Sequence, residues 1–464
     1  MKLKHEFKNA WEVERENNKL DDIMSYANGY KLFLDNGKTE RTSAREIVKI
    51  AKENGYISID EAIQKGSINS GDKIYAENKD KSVALFVMGK NPLEKGMKVI
   101  GAHLDAPRID LKPNPLYQEA NLGFFKTHYY GGIKKYQWTV TPLAIHGVVI
   151  LNDGKKVDIC IGEDENDPVF CITDLLAHLA GDQMQKKLSE GVTGESLNIL
   201  VGHIPLEGEE KDAIEQNILK ILNDKYGMVG EDFLSAEIEV VPSGRARDLG
   251  FDRSMVLAYG HDDRVCSYAA VKSIIETENP KYCAVALCVD KEEVGSQGNT
   301  GMQSKFFENA VAELIALEGN YCDLKVRRAM ANTKVLSADV SAGYDPNYAD
   351  AYEKRNSAYM GNGLVLSKYT GSRGKGGCND ANAEFMAEVR RIFNKANVVW
   401  QTAELGKVDQ GGGGTIAYIL ANYGAEVIDC GVGVLNMHAP YEIVSKVDIY
   451  EMYKGYKAFF NMNI

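Results

Sequence analysis

Residues of the types that bind metal ions recur at the ends of apolar runs in this chain, and this recurrence constrains its fold more than any other feature. Buried strands of parallel sheets are apolar along their whole length, and ligands of open α/β sheets gather at the carboxyl ends of strands. Candidate metal ligands lie at or near such ends, or just before a helical stretch: His103, Asp262, Glu293, Asp339 and His438. The pattern predicts an α/β fold that brings distant side chains together.

Strand-like and helix-like segments alternate over most of the chain. The strand-like runs are 83–88, 97–102, 282–289, 333–338, 364–366 and 425–432. The helix-like stretches are 41–54, 306–317, 381–397, 415–423 and 447–461. Such alternation predicts a mixed sheet with helices on both faces, and Thr42 or Ser43 is expected to cap the first of these helices.

Between Pro107 and about Phe251 the rhythm changes to short strand-like runs separated by prolines and glycine doublets. A chain of 464 residues is longer than the roughly 250 to 300 residues that one hydrophobic core usually serves. We therefore expect a discontinuous α/β domain of residues 1–106 and 252–464, and an inserted strand-rich domain of residues 107–251. One large α/β domain with long loops is the alternative.

Composition disfavours several classes of partner. The formal net charge of −12 argues against nucleic acid and anionic membranes, because phosphate binding relies on clustered Lys and Arg. No apolar stretch approaches the ~18 residues needed to span a bilayer, and the residues after Met1 form no apolar signal core, so we expect a cytoplasmic protein. The eight cysteines contain no Cys-x-x-Cys pair and are predicted to be reduced and mostly buried.

Two of the strand ends carry residue pairs that can divide chemical work. His103 and Asp105 lie two residues apart, so on a continuing strand the carboxylate would point the same way as the imidazole and could orient it. Glu292 and Glu293 are adjacent, so one could bind metal while the other handles protons. Asp262 alone could simply be a helix N-cap.

Converging carboxylates favour cations. Two carboxylates ~4 Å apart at an effective dielectric near 20 repel each other by roughly 4 kcal/mol, so such a cluster needs protonation or cations. Imidazole and carboxylate donors together suit Zn²⁺, with Co²⁺ or Mn²⁺ as substitutes, better than Ca²⁺ or Mg²⁺. Dications there would activate water near neutral pH, which predicts metal-assisted hydrolysis.

Short motifs occur along the chain in this order: His103-x-Asp105-x-Pro107, Asp262-Asp263-Arg264, Glu292-Glu293-Val294-Gly295-Ser296, Asp339 and Met437-His438. Together they resemble the aspartyl aminopeptidase family of dinuclear zinc metallopeptidases. The resemblance implies two zinc ions per subunit bridged by Asp262. His103 and Asp339 would complete one zinc site, and Glu293 and His438 the other.

The same resemblance assigns the remaining residues of the site. It implies that Glu292 is the general base and that Asp105 orients His103. It also implies a cis peptide bond between Asp262 and Asp263.

The resemblance further implies an aminopeptidase that prefers Asp or Glu as the first residue of short peptides. Lys375, in Gly374-Lys375-Gly376-Gly377, would contact the acidic side chain, and nearby Arg373 could serve instead. The inserted domain resembles one that forms dimers within a homododecamer. His146 resembles a histidine that reaches a neighbouring subunit's active site, although a core or sheet-edge histidine is an equal interpretation.

Two other functions stay open at this point. A carboxypeptidase or amide deacylase on a similar scaffold would also use metal-assisted hydrolysis. A non-catalytic scaffold protein would be indicated by loss of the general base, and Glu292 is present.

Overall fold

The chain divides into two compact units. The computed structural model describes residue 3 and residues 6–462. The first unit contains the residues up to Ala106, Ala246–Met437 and the residues from Glu442 onward, and the second contains Pro107–Arg245 with His438–Tyr441. The second unit ends earlier than the predicted residue 251 because the strand Arg247–Leu249 pairs with Met255–Ala258 in the first unit.

A mixed sheet forms the centre of the first unit. Its strands, in spatial order, are Ile57–Ser58, Lys73–Asn78, Ser82–Val87, Cys283–Val289, Met97–His103, Lys334–Ser337, Glu426–Gly431, Leu364–Ser367 and Trp400–Thr402. Met97–His103 runs parallel to both of its neighbours, Cys283–Val289 and Lys334–Ser337. The carboxyl ends of these strands therefore meet at one edge of the sheet.

Met97–His103 is buried along its whole length because it supplies side chains to two apolar cores. Ile100 and Ala102 pack into the core on one face, and Met97 and Val99 pack into the core on the other. Successive side chains of a strand point to opposite faces, so a central strand covered on both sides is mostly apolar. Lys98 is a buried exception within this strand, and its Nζ donates to Phe459 O at 2.7 Å.

Helices cover both faces of this sheet. The helices that contribute to the first core are Leu20–Asn36, Glu40–Glu53, His261–Ile275, Ala383–Lys395 and Lys446–Asn461. Those that contribute to the second are Ile59–Lys65, Phe306–Glu318, Asp323–Ala331 and Ala417–Ala421. Ala10–Glu16 packs beside the closing helix. The predicted α/β class is confirmed, and no helix within residues 6–462 has the length and apolarity to cross a bilayer.

Two predicted helix starts were wrong in detail. The N-cap of Glu40–Glu53 is Thr39, and Thr42 stands at its third position, where the two residues form a reciprocal capping box. The helix predicted at 415–423 shortens to Ala417–Ala421, because the Thr415 hydroxyl donates a hydrogen bond to Asp429 Oδ1 at 2.7 Å instead of entering the helix.

The first unit contains a second, smaller sheet, and the second unit has a sheet of its own. In the first unit it comprises Arg247–Leu249, Met255–Ala258, Glu442–Ser445, Gly433–Leu435 and Ser341–Ala342. In the second unit it comprises Lys156–Ile161, Leu143–Ile150, Ala236–Pro242, Arg108–Glu119, Leu122–Tyr130, Ile199–Gly202 and Cys171–Ile172. The second unit's helices are Gly181–Met184, Leu188–Gly191 and Ala213–Tyr226.

Candidate metal centre

Strand pairing brings three of the predicted segments to one edge of the central sheet. His103 is the last residue of its strand, and Glu292 and Glu293 begin a short 3-10 helix just after Cys283–Val289. The Leu104 amide donates to Val289 O at 2.8 Å, and the Ala338 amide donates to Gly101 O at 2.6 Å. These bonds fix the three strand ends against one another, so the residues that follow them converge.

A fourth segment enters at the start of the helix His261–Ile275. The peptide bond between Asp262 and Asp263 is cis, as the family resemblance implies. The Asp263 carboxylate accepts the His103 amide at 3.2 Å, and the Ser267 hydroxyl donates to His103 O at 2.8 Å. The helix start is thereby tied to the strand end that carries His103.

Glu442 holds the other side of this helix start. It is 1% exposed, and its Oε2 accepts the Asp262 amide at 3.0 Å. Neither Glu442 nor Ser267 was predicted as part of the site. Glu442 lies 180 residues from Asp262, in a sequence context that matches no metal or catalytic motif.

Ligand atoms converge where these segments meet. Within the part of the chain that the structure describes, three overlapping sets have their ligand atoms within 4.8 Å of one another: His103 with Glu292 and Asp339, His103 with Asp262 and Glu293, and Asp262 with Asp263 and Asp339. His103 Nε2 lies 3.3 Å from Asp262 Oδ1 and 3.9 Å from Glu292 Oε2. Asp262 takes part in two of the sets and His103 in two, so these residues join the cluster into one site.

Asp105 supports this site in a way that the sequence did not reveal. The strand ends at His103, and His103 Nδ1 lies 2.9 Å from the Asp105 main-chain oxygen and 3.4 Å from its Oδ1. The Asp105 carboxylate also accepts the Glu292 and Glu293 amides, each at 3.1 Å. Asp105 therefore holds both the imidazole and the segment that carries the two glutamates.

The electrostatics of the cluster favour added positive charge. Burial, followed by the charges of Glu292, Asp263 and Asp262, raises the pKa of Asp339 well above its ordinary value. Burial alone would lower the pKa of His103, but its contacts with Asp105 and Asp262 outweigh burial and raise that pKa. Both shifts favour the protonated forms: a neutral Asp339 carboxyl and a charged His103 imidazolium. A bound cation would remove the need for these protons.

The donor set fits zinc. One imidazole and several carboxylates lie within coordinating reach of common centres, and mixed nitrogen and oxygen donors are the usual zinc ligands in hydrolases. Dications would neutralise the carboxylates that otherwise repel one another, which relieves the electrostatic cost of their convergence.

The chain matches a known enzyme family along most of its length. The sequence model of the M18 family, described as aminopeptidase I zinc metalloprotease, matches residues 33–460. The chain belongs to the M18 family. It is 57% identical over 461 residues to a probable M18 family aminopeptidase 1 of Clostridium acetobutylicum, and the match covers 99% of this chain and 99% of that protein.

Solved structures agree with this membership. The crystal structure of the M18 aminopeptidase of Thermotoga maritima is 44% identical, with a TM-score of 0.95 over 99% of this chain and 100% of that chain. The S. cerevisiae mApe1 dodecamer is 22% identical, with a TM-score of 0.76 over 94% of this chain and 96% of that one, and shares the fold. The M18 chain is thus a metal-dependent aminopeptidase, and the family inferred from its motifs is confirmed.

Two histidines expected near the site of this M18 protein lie in the second unit. His438 Nδ1 is 2.8 Å from Gly132 O, and none of the ligand sets found within the described residues includes His438. His146 Nε2 lies 2.9 Å from Glu163 Oε1. Their assignments as a metal ligand and a substrate-binding residue stay predictions.

Lys375 lies on an exposed glycine-rich loop of the M18 chain. Its Nζ is 2.8 Å from Asp380 Oδ2 and 3.8 Å from the centre of the Tyr369 ring. The loop packs against a second glycine segment so closely that a Cβ at Gly412 would lie 1.8 Å from Gly371 O. Only glycine fits at that crossing, so the glycine residues allow the two segments to pack directly against each other.

Proposed function

We propose that this M18 chain is a dinuclear zinc aminopeptidase that removes acidic first residues from short peptides in the cytoplasm. The observation that carries the proposal is the cluster in which His103, Glu292, Glu293, Asp262 and Asp339 present ligand atoms within 4.8 Å in overlapping sets. The family resemblance implies that Asp262 would be the ligand shared by the two ions, and its membership of two of the three sets agrees with that role. Co²⁺ or Mn²⁺ would be functional substitutes.

We assign His103 and Asp339 to one zinc site, and Glu293 and His438 to the other. When bound, the ions would polarise the scissile carbonyl and activate water at neutral pH. The assignment of His103 is supported by Asp105, which holds its Nδ1 side and leaves Nε2 directed at Asp262. Orientation of a ligating histidine by such a partner is general in zinc sites.

Glu292 is the residue of this cluster that moves protons. Its carboxylate lies 3.9 Å from His103 Nε2, and its amide is held by Asp105, so the side chain faces the same space as the metal ligands. In our proposal Glu292 takes a proton from the attacking water and returns it to the nitrogen of the departing peptide. Proton transfer by a positioned carboxylate contributes roughly 10² to 10⁴ in rate.

Replacement of Glu292 by Gln tests this role. We expect Glu292→Gln to retain its zinc content and to lose ~10²-fold or more in kcat, because the amide cannot accept the proton. Glu313→Gln, an exposed position on the helix Phe306–Glu318, is the matched control and should behave as wild type. A Glu292→Gln enzyme with full activity would contradict the assignment.

Lys375 is our candidate for recognising the acidic first side chain. It is already paired with Asp380, so an incoming substrate carboxylate would replace a carboxylate that the lysine holds in the free protein. Lys368 also contacts Asp380, which leaves Asp380 with a cationic partner when Lys375 turns to substrate. The loop therefore keeps its charges paired in both states.

A comparison of aminoacyl substrates tests the preference. We expect Lys375→Met to lower kcat/KM for an aspartyl substrate by roughly 10-fold or more, the value of a charge-assisted hydrogen bond, and to leave a leucyl substrate unaffected. Arg373→Met is the matched control on the same loop. If Arg373→Met produces the loss and Lys375→Met does not, Arg373 is the recognising cation. N-acylated peptides should resist the wild-type enzyme, whereas a deacylase would prefer them.

We further propose a homododecamer built from dimers of the second unit, in which His146 contributes to a neighbouring active site. The fold shared with the dodecameric mApe1 supports this proposal. Mass photometry of the purified protein should give twelve copies of the 51.2 kDa chain. A monomer or dimer at micromolar concentration would contradict the assembly.

A further inference from the structure

Cys160, His146 and Glu163 form a connected group of side chains in the second unit. His146 and Cys160 are cross-strand partners in adjacent antiparallel strands, so their side chains are neighbours on the same face of the sheet. His146 Nε2 also lies 2.9 Å from Glu163 Oε1. The imidazole therefore lies between a thiol and a carboxylate.

Surroundings hold this imidazole in place. His146 is 5% exposed, and Glu163 Oε2 accepts the Gly244 amide at 3.3 Å. On the opposite side His146 pairs in register with Glu239, whose Oε2 lies 3.3 Å from Arg108 Nε. Burial alone would lower the pKa of His146, but the contacts with Cys160 and Glu163 outweigh it and raise that pKa.

The thiol itself is open to reagents. Cys160 is exposed, on the strand Lys156–Ile161, which forms an edge of its sheet. A nucleophile beside a base that a third group orients is the arrangement that activates cysteine and serine in enzymes, and reactive cysteines are at least partly exposed. The neighbouring His146, held by Glu163, satisfies the first condition, and the exposure of Cys160 satisfies the second.

We propose that Cys160 is a site of thiol modification by small disulfides and soft carbon electrophiles, with His146 as its base and Glu163 as the residue that orients His146. With a disulfide, Cys160 Sγ bonds to one sulfur of the reagent, and the reagent's sulfur–sulfur bond breaks. The proton from Sγ passes to His146 and then to the departing thiolate. No further oxidant is required, since the disulfide is the oxidant.

Modification of Cys160 would also prevent His146 from contributing to catalysis. A group attached to Sγ would occupy the face of the sheet beside the His146 imidazole. If His146 contributes to a neighbouring active site, as we proposed above, a mixed disulfide at Cys160 slows peptide hydrolysis until a reductant removes it. This consequence rests on the proposed function, whereas the reactivity of the thiol does not.

Cys322 provides an internal control for reactivity. It is the other exposed cysteine among the described residues, and it precedes the helix Asp323–Ala331 in the first unit. Labelling with limiting iodoacetamide, followed by peptide mass spectrometry, gives the rates at both cysteines in the same molecules. We expect Cys160 to react roughly 10-fold faster than Cys322, as expected for a thiol activated by a neighbouring base.

Variants of the two partners decide the proposal. His146→Gln and Glu163→Gln should each reduce the rate at Cys160 toward that of Cys322, while the Cys322 rate stays constant and reports an intact fold. Equal rates at Cys160 and Cys322 in the wild type would overturn the proposal. So would a fast Cys160 that neither substitution slows.

Glutathione disulfide tests the consequence for hydrolysis. We expect it to lower wild-type peptidase activity reversibly, whereas Cys160→Ser should keep its basal activity and resist the reagent. Rapid labelling of Cys160 without any change in hydrolysis would contradict the coupling to His146 and leave the reactive thiol established. An inactive purified enzyme would contradict the proposed function, and the labelling rates would still be measurable.

Discussion

Replacing Asp339 with Asn should change the stability of the protein in opposite directions with and without zinc. The ligand oxygens of Asp339, Asp262 and Asp263 lie within 4.8 Å of one another. Two unit charges at that separation and an effective dielectric of 20 repel each other by about 3 kcal/mol. Asp339 keeps some exposure, and the dielectric of 20 already allows for solvent at such a site.

The sign follows from the charge of Asp339 in each state. Its pKa is raised in the folded chain by burial and by neighbouring carboxylates. At pH 7.5 Asp339 is ionised in the unfolded chain, so folding without metal costs the free energy of burying that charge or of binding a proton. Because its pKa is higher in the folded chain, protonated Asp339 favours the folded state. That stabilisation is fully present below the unfolded pKa and is lost as pH rises through the folded pKa. Asn carries no charge, so Asp339→Asn should stabilise the metal-free protein by up to about 3 kcal/mol.

Zinc should reverse this effect. Zinc would bind the folded chain and not the unfolded one, and a ligand at 100 times its Kd stabilises by about 2.7 kcal/mol. Loss of one ligand weakens that binding, so Asp339→Asn should be less stable than wild type when zinc is present. At roughly 2 to 4 °C per kcal/mol, both differences are measurable as changes in Tm.

Thermal unfolding followed by circular dichroism is the assay. Wild type and Asp339→Asn are compared at pH 7.5 after dialysis against a chelator and again after addition of zinc. Asp60→Asn, at an exposed position of the helix Ile59–Lys65, is the control and should change Tm by the same amount with and without zinc. Equal destabilisation by Asp339→Asn in both conditions would refute the reasoning that Asp339 belongs to a charge cluster neutralised by metal.

Two further predictions concern single carboxylates. Asp105→Asn places an amide NH2 against one of the two backbone N–H groups that donate to the Asp105 carboxylate. Zinc affinity, measured by titration, or activity, measured by kinetics, should therefore fall roughly 10- to 100-fold. An unchanged Kd for zinc and an unchanged kcat would show that Asp105 does not support the site. Asp448 accepts the Gly361 and Gly363 amides, and burial raises its pKa to about 7. Its contribution to stability is therefore lost as pH rises from about 4 through 7, and urea unfolding at pH 5 and 8 should show a smaller difference for Asp448→Asn than for wild type.

The strand ends could be predicted because of how the sheet is covered. Met97–His103 packs against cores on both faces, so its sequence is apolar from Val99 to Ala102 and His103 marks its end. Glu292 and Asp339 come shortly after the ends of their strands, at Val289 and Ser337. Parallel pairing of these strands then accounts for the convergence of side chains that lie far apart in sequence.

The partners of these residues could not be predicted, because they depend on tertiary contacts. Glu442 reaches the Asp262 amide from a different sheet, and no periodicity relates the two positions. Asp105 acts through its backbone oxygen as well as its carboxylate, whereas the sequence suggested the carboxylate alone. The N-cap Thr39 was missed because its capping partner, Thr42, is itself a common cap residue.

Anomalous X-ray diffraction at the zinc edge, on crystals soaked in zinc, tests the central claim most directly. The account predicts two peaks among His103, Glu293, Asp262 and Asp339, with Asp262 in contact with both. A single peak, or zinc bound only elsewhere, would contradict a dinuclear centre in this chain.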